Sequence, residues 1–207
     1  YADDIAEALT ALGVETFDAI GWSGGGRVAL ALAANHAARV KSVAIMGTPA
    51  PDDQVRWIPD AYNTMIEQLA PHPETAIATM APMFAGVDAT SDDAFALLGS
   101  GAAEQAVLAN PERRARVAAM LREAFAQNGE GLAAEIAAYT LSPLDYPLAD
   151  IKARVRLFYS ESDIVVGVAH GDWHLSQIRN AQLTTIPDAG HLMALTMWGA
   201  MLACVRW

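Results

Sequence analysis

Three observations predict an α/β fold for this 207-residue chain: a mostly parallel sheet flanked by helices and interrupted by a helical insertion. A glycine-rich turn, Gly21-Trp22-Ser23-Gly24-Gly25, joins a strand-like run to a helical one rich in Ala and Leu. Short apolar runs at Val40 to Met46, Val155 to Tyr159 and Leu183 to Ile186 have the look of buried parallel strands. Between Pro49 and Pro147 no strand-like alternation appears, and Met, Ala and Glu dominate.

In chain order, Ile5, Ala8, Leu9 and Leu12 fall at helical spacing, and Gly13 stands where a C-terminal cap belongs. Val14 to Ile20 reads as a strand stopped by Gly21, and Val28 to Ala34 as a helix. The run Val40 to Met46, ended by Gly47, Thr48 and Pro49, completes a βαβ unit. Pro51, Pro59, Pro71, Pro73, Pro82, Pro111 and Pro143 punctuate the insertion. Within it, Asn110-Pro111-Glu112 reads as an N-cap with Pro at the first helical position, followed by a stripe of Val117, Met120, Leu121 and Phe125. Leu132, Ile136 and Tyr139 form a second short stripe. Further helices are predicted around Val168 to Ile178 and from Leu192 to Val205. The expected partition is residues 1–50 as the first part of the core, 51–147 as a helical cap, and 148–207 as the second part.

With 53% hydrophobic and 18% charged residues, the composition is that of a globular chain and excludes disorder. A net charge of −11 repels phosphate backbones and anionic lipid surfaces, so neither nucleic acid nor membrane is an expected partner. The single Cys204 forbids internal disulfides and fits a reducing compartment, the cytoplasm. No window approaches the roughly 18 apolar residues of a membrane span. The chain opens on Tyr1 rather than Met, from which an earlier natural start is expected.

The chemistry concentrates in the turn. Gly21-Trp22-Ser23-Gly24-Gly25 fits G-x-S-x-G between strand and helix, the setting in which that motif exposes a nucleophile. Glycines on either side leave room for strand and helix to approach, so Ser23 is thrust outward, with the Gly24 amide as one oxyanion donor. An incidental Gly-rich turn or a phosphate loop is the competing reading. A serine hydroxyl needs a base to take its proton, and the chain has five histidines. His191 is preferred because it follows a predicted strand, at the end of the sheet where open α/β folds build their sites. Its orienting acid is expected to be Asp163, 28 residues earlier, with Glu161 on the same loop as the alternative. His170 and His174, four apart with Asp172 between them, imitate a metal pair but offer no third ligand, and are read as a solvated helix face. No metal and no cofactor is expected.

On these residues, together with Gly26 and Gly190-His191, the chain resembles the α/β-hydrolase superfamily. The resemblance lies with its lid-bearing serine hydrolases, which include small-molecule esterases, lactonases, carbon–carbon bond hydrolases and cofactor-free haloperoxidase-like enzymes. It covers nearly the whole chain and implies Ser23 as nucleophile, His191 as base, Asp163 as its partner, Gly24 as half of the oxyanion hole, and Gly26 as a site of close helix–sheet packing. Members of that family carry strands upstream of the helix that begins this chain, and a loop there supplies the second oxyanion donor. The expectation is therefore a fold truncated at its N-terminus, self-associating through an exposed sheet edge.

The function this implies is hydrolysis of a small ester-like or lactone-like substrate through an acyl-enzyme, with turnover rising as the imidazole loses its proton. Trp57, Tyr62, Met65, Met80, Met83 and Phe84 in the insertion line an acyl pocket or serve as ordinary packing. A non-catalytic small-molecule-binding protein of the same fold, or an inactive fragment, is the alternative.

Overall fold

The computed structural model describes residues 1–142 and 144–205; Pro143 lies outside them. A helix, α1 (Ala2–Ala11), leads into β1 (Phe17–Trp22), α2 (Gly24–Asn35) and β2 (Val40–Met46). Six α-helices follow without an intervening strand: α3 (Asn63–Leu69), α4 (Ala76–Met80), α5 (Asp92–Ala96), α6 (Ala102–Leu108), α7 (Pro111–Phe125) and α8 (Glu130–Thr140). The chain then re-enters the sheet as β3 (Arg154–Tyr159), and continues through α9 (Val168–Gln177), β4 (Ala181–Thr185) and α10 (Ala194–Val205).

All described strand pairings are parallel, in the spatial order β1-β2-β3-β4. Sequence polarity explains that order. In β2 only Lys41 is exposed, so this strand can sit only in the interior of a sheet covered on both faces. β4, with Gln182, Thr184 and Thr185 exposed, can tolerate an edge. On one face, α2 and α9 bury Leu30, Leu32 and Ile178 against Val43, Ile45, Leu157 and Tyr159. On the other, Met193, Met201 and Val205 pack on Ala44, Met46 and Phe158. Replacing a fully enclosed residue such as Leu30 by Ala removes contacts worth ~2–5 kcal/mol.

The inserted helices hold two clusters of their own. Leu69, Ala76, Met80 and Ala133 form one, with Met65 and Phe84 against it. Phe95, Val117 and Leu121 form the other, which includes Leu192 and reaches Trp22 in the core. The N-cap read at Asn110 is present: its Oδ1 accepts from Arg113 N at 3.0 Å. Among the described residues, no helix is long and apolar enough to cross a membrane.

Several boundaries differ from the sequence reading, two of them at the turn. β1 does not stop before Gly21: Gly21 and Trp22 continue the ladder opposite Ile45 and Met46. α2 begins at Gly24 rather than Val28, because packing overrides the poor helix propensity of three successive glycines. β4 begins two residues before Leu183, since the alternating polar positions of an edge strand hide its start. A 3₁₀ turn, His191–Met193, precedes the last α-helix.

Close packing at the turn falls on Gly21, the first glycine of the motif, and on Gly26, where close packing is expected, but not on Gly25. A Cβ on Gly21 lies 2.5 Å from both Gly25 O and Gly26 Cα, backbone atoms that cannot give way locally. On Gly26 it collides with the Thr48 side chain, whereas on Gly25 it meets nothing within 4 Å. Gly21→Ala is therefore expected to cost several kcal/mol, beyond the ~1–3 of ordinary overpacking. Gly25→Ala is expected to be neutral or to gain up to ~1 kcal/mol from helix propensity. Urea denaturation of the two variants checks this, and equal losses in both contradict it.

Candidate active site

The tip of the turn is Ser23, held at φ 51° and ψ −127°, a left-handed backbone unusual for a residue with a side chain. Its amide donates to Met46 O at 2.8 Å, and its carbonyl accepts from Gly26 N at 3.0 Å, so strand ladder and helix fix it from both sides. Gly24 opens α2, where the first amides have no acceptor within the helix.

His191 comes from the other end of the chain, directly after Gly190, and is buried. Its Nε2 lies 2.9 Å from Ser23 Oγ and its Nδ1 2.9 Å from Asp163 Oδ2. With the proton on Nδ1, that nitrogen donates to Asp163 and leaves the Nε2 lone pair to accept from the serine hydroxyl. Asp163 is fixed in turn, because its Oδ1 accepts from the amides of Val165 and Val166, each at 2.9 Å. Glu161, the alternative acid, is exposed, and His191 Nδ1 is bonded to Asp163. Gly47, at φ +49°, passes beside the pair: a Cβ there comes within 3.2 Å of both Asp163 Oδ2 and His191 Nδ1. The structure thus brings together Ser23, Asp163 and His191, with Gly24 next to the first.

Four further residues hold this constellation, and sequence reasoning missed all of them. Trp22 Nε1 donates to His191 O at 2.7 Å, and its ring tilts over the imidazole at 5.6 Å between centroids. Glu104, fully buried in α6, accepts from His191 N at 2.5 Å. Arg27, buried in α2, donates to Pro49 O, Ala50 O and Tyr139 O at 3.1–3.3 Å, tying the helix of the turn to the loop after β2 and to α8. Tyr139 stacks on that guanidinium at 4.6 Å, and its phenol stands where a Cβ on Gly24 would be. Burial pushes the Tyr139 hydroxyl well above its ordinary value, so it stays an O–H donor. One signal was legible: Arg27 stands three residues before Leu30, on the face of α2 where apolar periodicity calls for core.

His170 and His174 correct an expectation. They do not lie on a solvated face; both are buried beneath β3. Ala50 N donates to His170 Nδ1 at 3.1 Å, and His174 Nδ1 lies 2.9 Å from His170 O and 3.1 Å from the Tyr159 hydroxyl, which donates to Thr48 O. The insertion's candidate pocket residues divide as well: Met65, Met80 and Phe84 pack among themselves, while Tyr62 and Met83 are exposed. Space around the site lies on its flanks. A cavity of about 330 Å³ is lined by Arg27, Tyr139 and Tyr146, and one of about 420 Å³ by Phe95, Gly99 and Glu104.

A parallel sheet with a helix springing from a serine-tipped turn after its first strand, a histidine on that serine and an aspartate on the histidine, defines a protein of the nucleophile-elbow α/β class. The comparisons agree: residues 1–196 match the alpha/beta hydrolase fold family, and the chain belongs to it. A hydrolase from Pseudomonas aeruginosa is 27% identical, with a TM-score of 0.67 over 99% of this chain and 68% of its own. A bromoperoxidase from Bacillus anthracis, 17% identical, superposes with a TM-score of 0.64 over 99% of this chain and 72% of its own. An enzyme degrading N-acyl homoserine lactones, 22% identical, gives 0.62 over 99% and 72%. Among curated proteins, none matches the sequence.

The buried imidazoles generate a pH prediction. Burial pushes His170 and His174 down from 6.5 to about 4, because desolvation penalises the charged ring. Between these values the unfolded chain binds protons that the native chain does not, so stability is lost as pH falls from about 6.5 towards 4. Denaturation midpoints are expected to drop measurably between pH 7 and pH 5; an unchanged midpoint contradicts the burial of neutral rings.

Proposed function

We propose that this protein is a serine hydrolase that cleaves a small ester-like or lactone-like substrate through an acyl-enzyme. The observation that carries the reading is the continuous pair of 2.9 Å contacts from Ser23 Oγ through His191 to Asp163, on a serine in left-handed backbone. Ser23 Oγ attacks the substrate carbonyl as His191 Nε2 takes its proton. Asp163 holds the ring in the required tautomer and stabilises the imidazolium that forms. The Gly24 amide faces the developing oxyanion, which in a water-poor site is worth more than the same hydrogen bond in solvent. His191 returns the proton to the leaving oxygen, then draws one from water to release the acid and regenerate Ser23.

The inserted helices 51–147 act in this reading as a lid. Their apolar cluster continues through Leu192 onto Trp22, so they cover the flank of the histidine rather than standing clear of it. Similarity to a lactone-degrading enzyme supports a small acyl substrate as the class to test first. The substrate is expected to bind between the elbow and this segment, with no cofactor and no nucleic acid.

Labelling with an activated organophosphonate tests the chemistry directly. The wild-type chain is expected to take up one equivalent at Ser23, and Ser23→Ala none. A folded wild type that resists labelling returns the chain to the small-molecule-binding alternative. Asp163→Asn keeps the shape but leaves the ring without its acceptor, and turnover of a short aryl ester is expected to fall steeply, towards ~10⁴-fold, the figure known for the equivalent change in a serine protease. Turnover undiminished in that variant removes Asp163 from the mechanism.

A further inference from the structure

Glu104 is the most enclosed carboxylate outside the Ser23–His191–Asp163 chain, with a relative exposure of 0%. Its Oε1 accepts from the His191 backbone amide at 2.5 Å, and its Oε2 is buried with no hydrogen-bond partner among the described residues. Carboxylates are rarely enclosed in this state, because losing water costs more than one hydrogen bond returns. The surroundings are shaped to receive it nonetheless. A Cβ on Gly190 would collide with the carboxylate, one on Gly101 would lie 2.8 Å from Oε2, and one on Gly99, itself at φ +106°, 3.0 Å from Cδ. Three glycines from two segments therefore leave a slot that this side chain fills. Arg114, which lines the cavity beside Glu104, is turned away to Asp92 at 2.9 Å and to the Phe95 ring.

We propose that Glu104 is a positioning residue for His191, fixing the histidine's backbone from the inserted helices so that the ring can span Ser23 and Asp163. The inference rests on the hydrolase reading above for its effect on rate, but not for its effect on geometry. Two props then bracket the residue, one on each of the peptide groups that flank its Cα. Trp22 Nε1 donates to the carbonyl and Glu104 accepts from the amide. With both engaged, the backbone cannot rotate to carry the ring away. With Glu104 gone, His191 N–H is left buried beside Gly190, whose lack of a side chain offers no other restraint.

The test compares Glu104→Leu, which fills the slot without an acceptor, with Glu104→Gln, which keeps one oxygen for His191 N–H. Two readouts are taken: organophosphonate labelling and aryl-ester turnover at Ser23, and the low-field NMR resonance of the His191 Nδ1 proton shared with Asp163. Glu104→Leu is expected to lower kcat and the labelling rate by ~10–100-fold with little change in KM, as small misplacements of a reacting group do. It is also expected to lose or shift the low-field resonance. Glu104→Gln is expected to restore both. A folded Glu104→Leu with wild-type rate and spectrum overturns the proposal, as does a Glu104→Gln no better than Leu. Should Leu fail to fold, Glu104→Asp decides, because it withdraws the oxygen by one methylene and must disturb the resonance; an undisturbed spectrum overturns the proposal. An unlabelled wild type sinks the hydrolase reading alone, since the resonance decides the Glu104 question without any turnover.

Discussion

The site depends on one backbone constraint: strand β1 must become helix α2 at a single residue, and that residue carries a side chain. Holding Ser23 at φ 51° costs on the order of 1–3 kcal/mol, and no local interaction refunds it. The surrounding packing does. Leu30 on the emerging helix and Ile45 on the next strand are fully buried, each contributing roughly 1.5–3 kcal/mol, and both require α2 to lie flat on the sheet. The helix can lie flat only if the chain turns at once, and the absent side chains of Gly21 and Gly26 make that approach sterically feasible. Strain at Ser23 is thus a by-product of burying the helix.

Parallel pairing does the remaining assembly. Because the described strands all run the same way, their C-terminal ends share one edge of the sheet. Ser23 follows β1, Gly47 follows β2, Asp163 lies beyond β3, and His191 comes after β4. Residues distant in sequence meet without any long loop having to find its partner. Gly47 shows how tight the meeting is, since its lack of a side chain keeps the aspartate–histidine hydrogen bond clear of the chain. The electrostatics follow from the same crowding. Asp163 is buried, its Oδ1 held by two backbone amides and its Oδ2 beside His191 Nδ1, so the carboxylate keeps one orientation against the imidazole.

What could be read from the sequence was whatever local chemistry determines. The elbow was legible because a G-x-S-x-G run between a strand and a helix has few other uses, and β2 because seven residues with a single charge can hardly be anything but a buried strand. Asp163 and His191 were legible as ends of strands. The residues that hold them were not. Glu104 sits in a short helix with nothing in its neighbourhood to mark it as buried, and its partner lies 87 positions away. His170 and His174 look hydrophilic in a pattern of spacing alone, yet burial of a neutral imidazole needs only hydrogen-bond partners, which Ala50 N and Tyr159 supply from other elements. Of the glycines read as making room for the approach, Gly21 and Gly26 are crowded but Gly25 is open, because which glycine is crowded depends on the angle between helix and sheet.

The same distinction bears on how the inserted helices are seated. Apolar contacts such as those of Leu192 with Phe95 and Leu121 pull the insertion onto the core but are non-directional, and would tolerate sliding. Two buried charges at the junctions do not tolerate it. Arg27, from the core, reaches the carbonyl of Tyr139 in α8; Glu104, from the insertion, reaches the amide of His191 in the core. Each must keep its partner or leave a charged group or a peptide unsatisfied out of water, a larger penalty than the loss of any single apolar contact. One is a core side chain reaching the insertion and the other an insertion side chain reaching the core, so together they define a position rather than merely an attraction. A segment so fixed can shape the space over Ser23, which a loosely collapsed group of helices cannot.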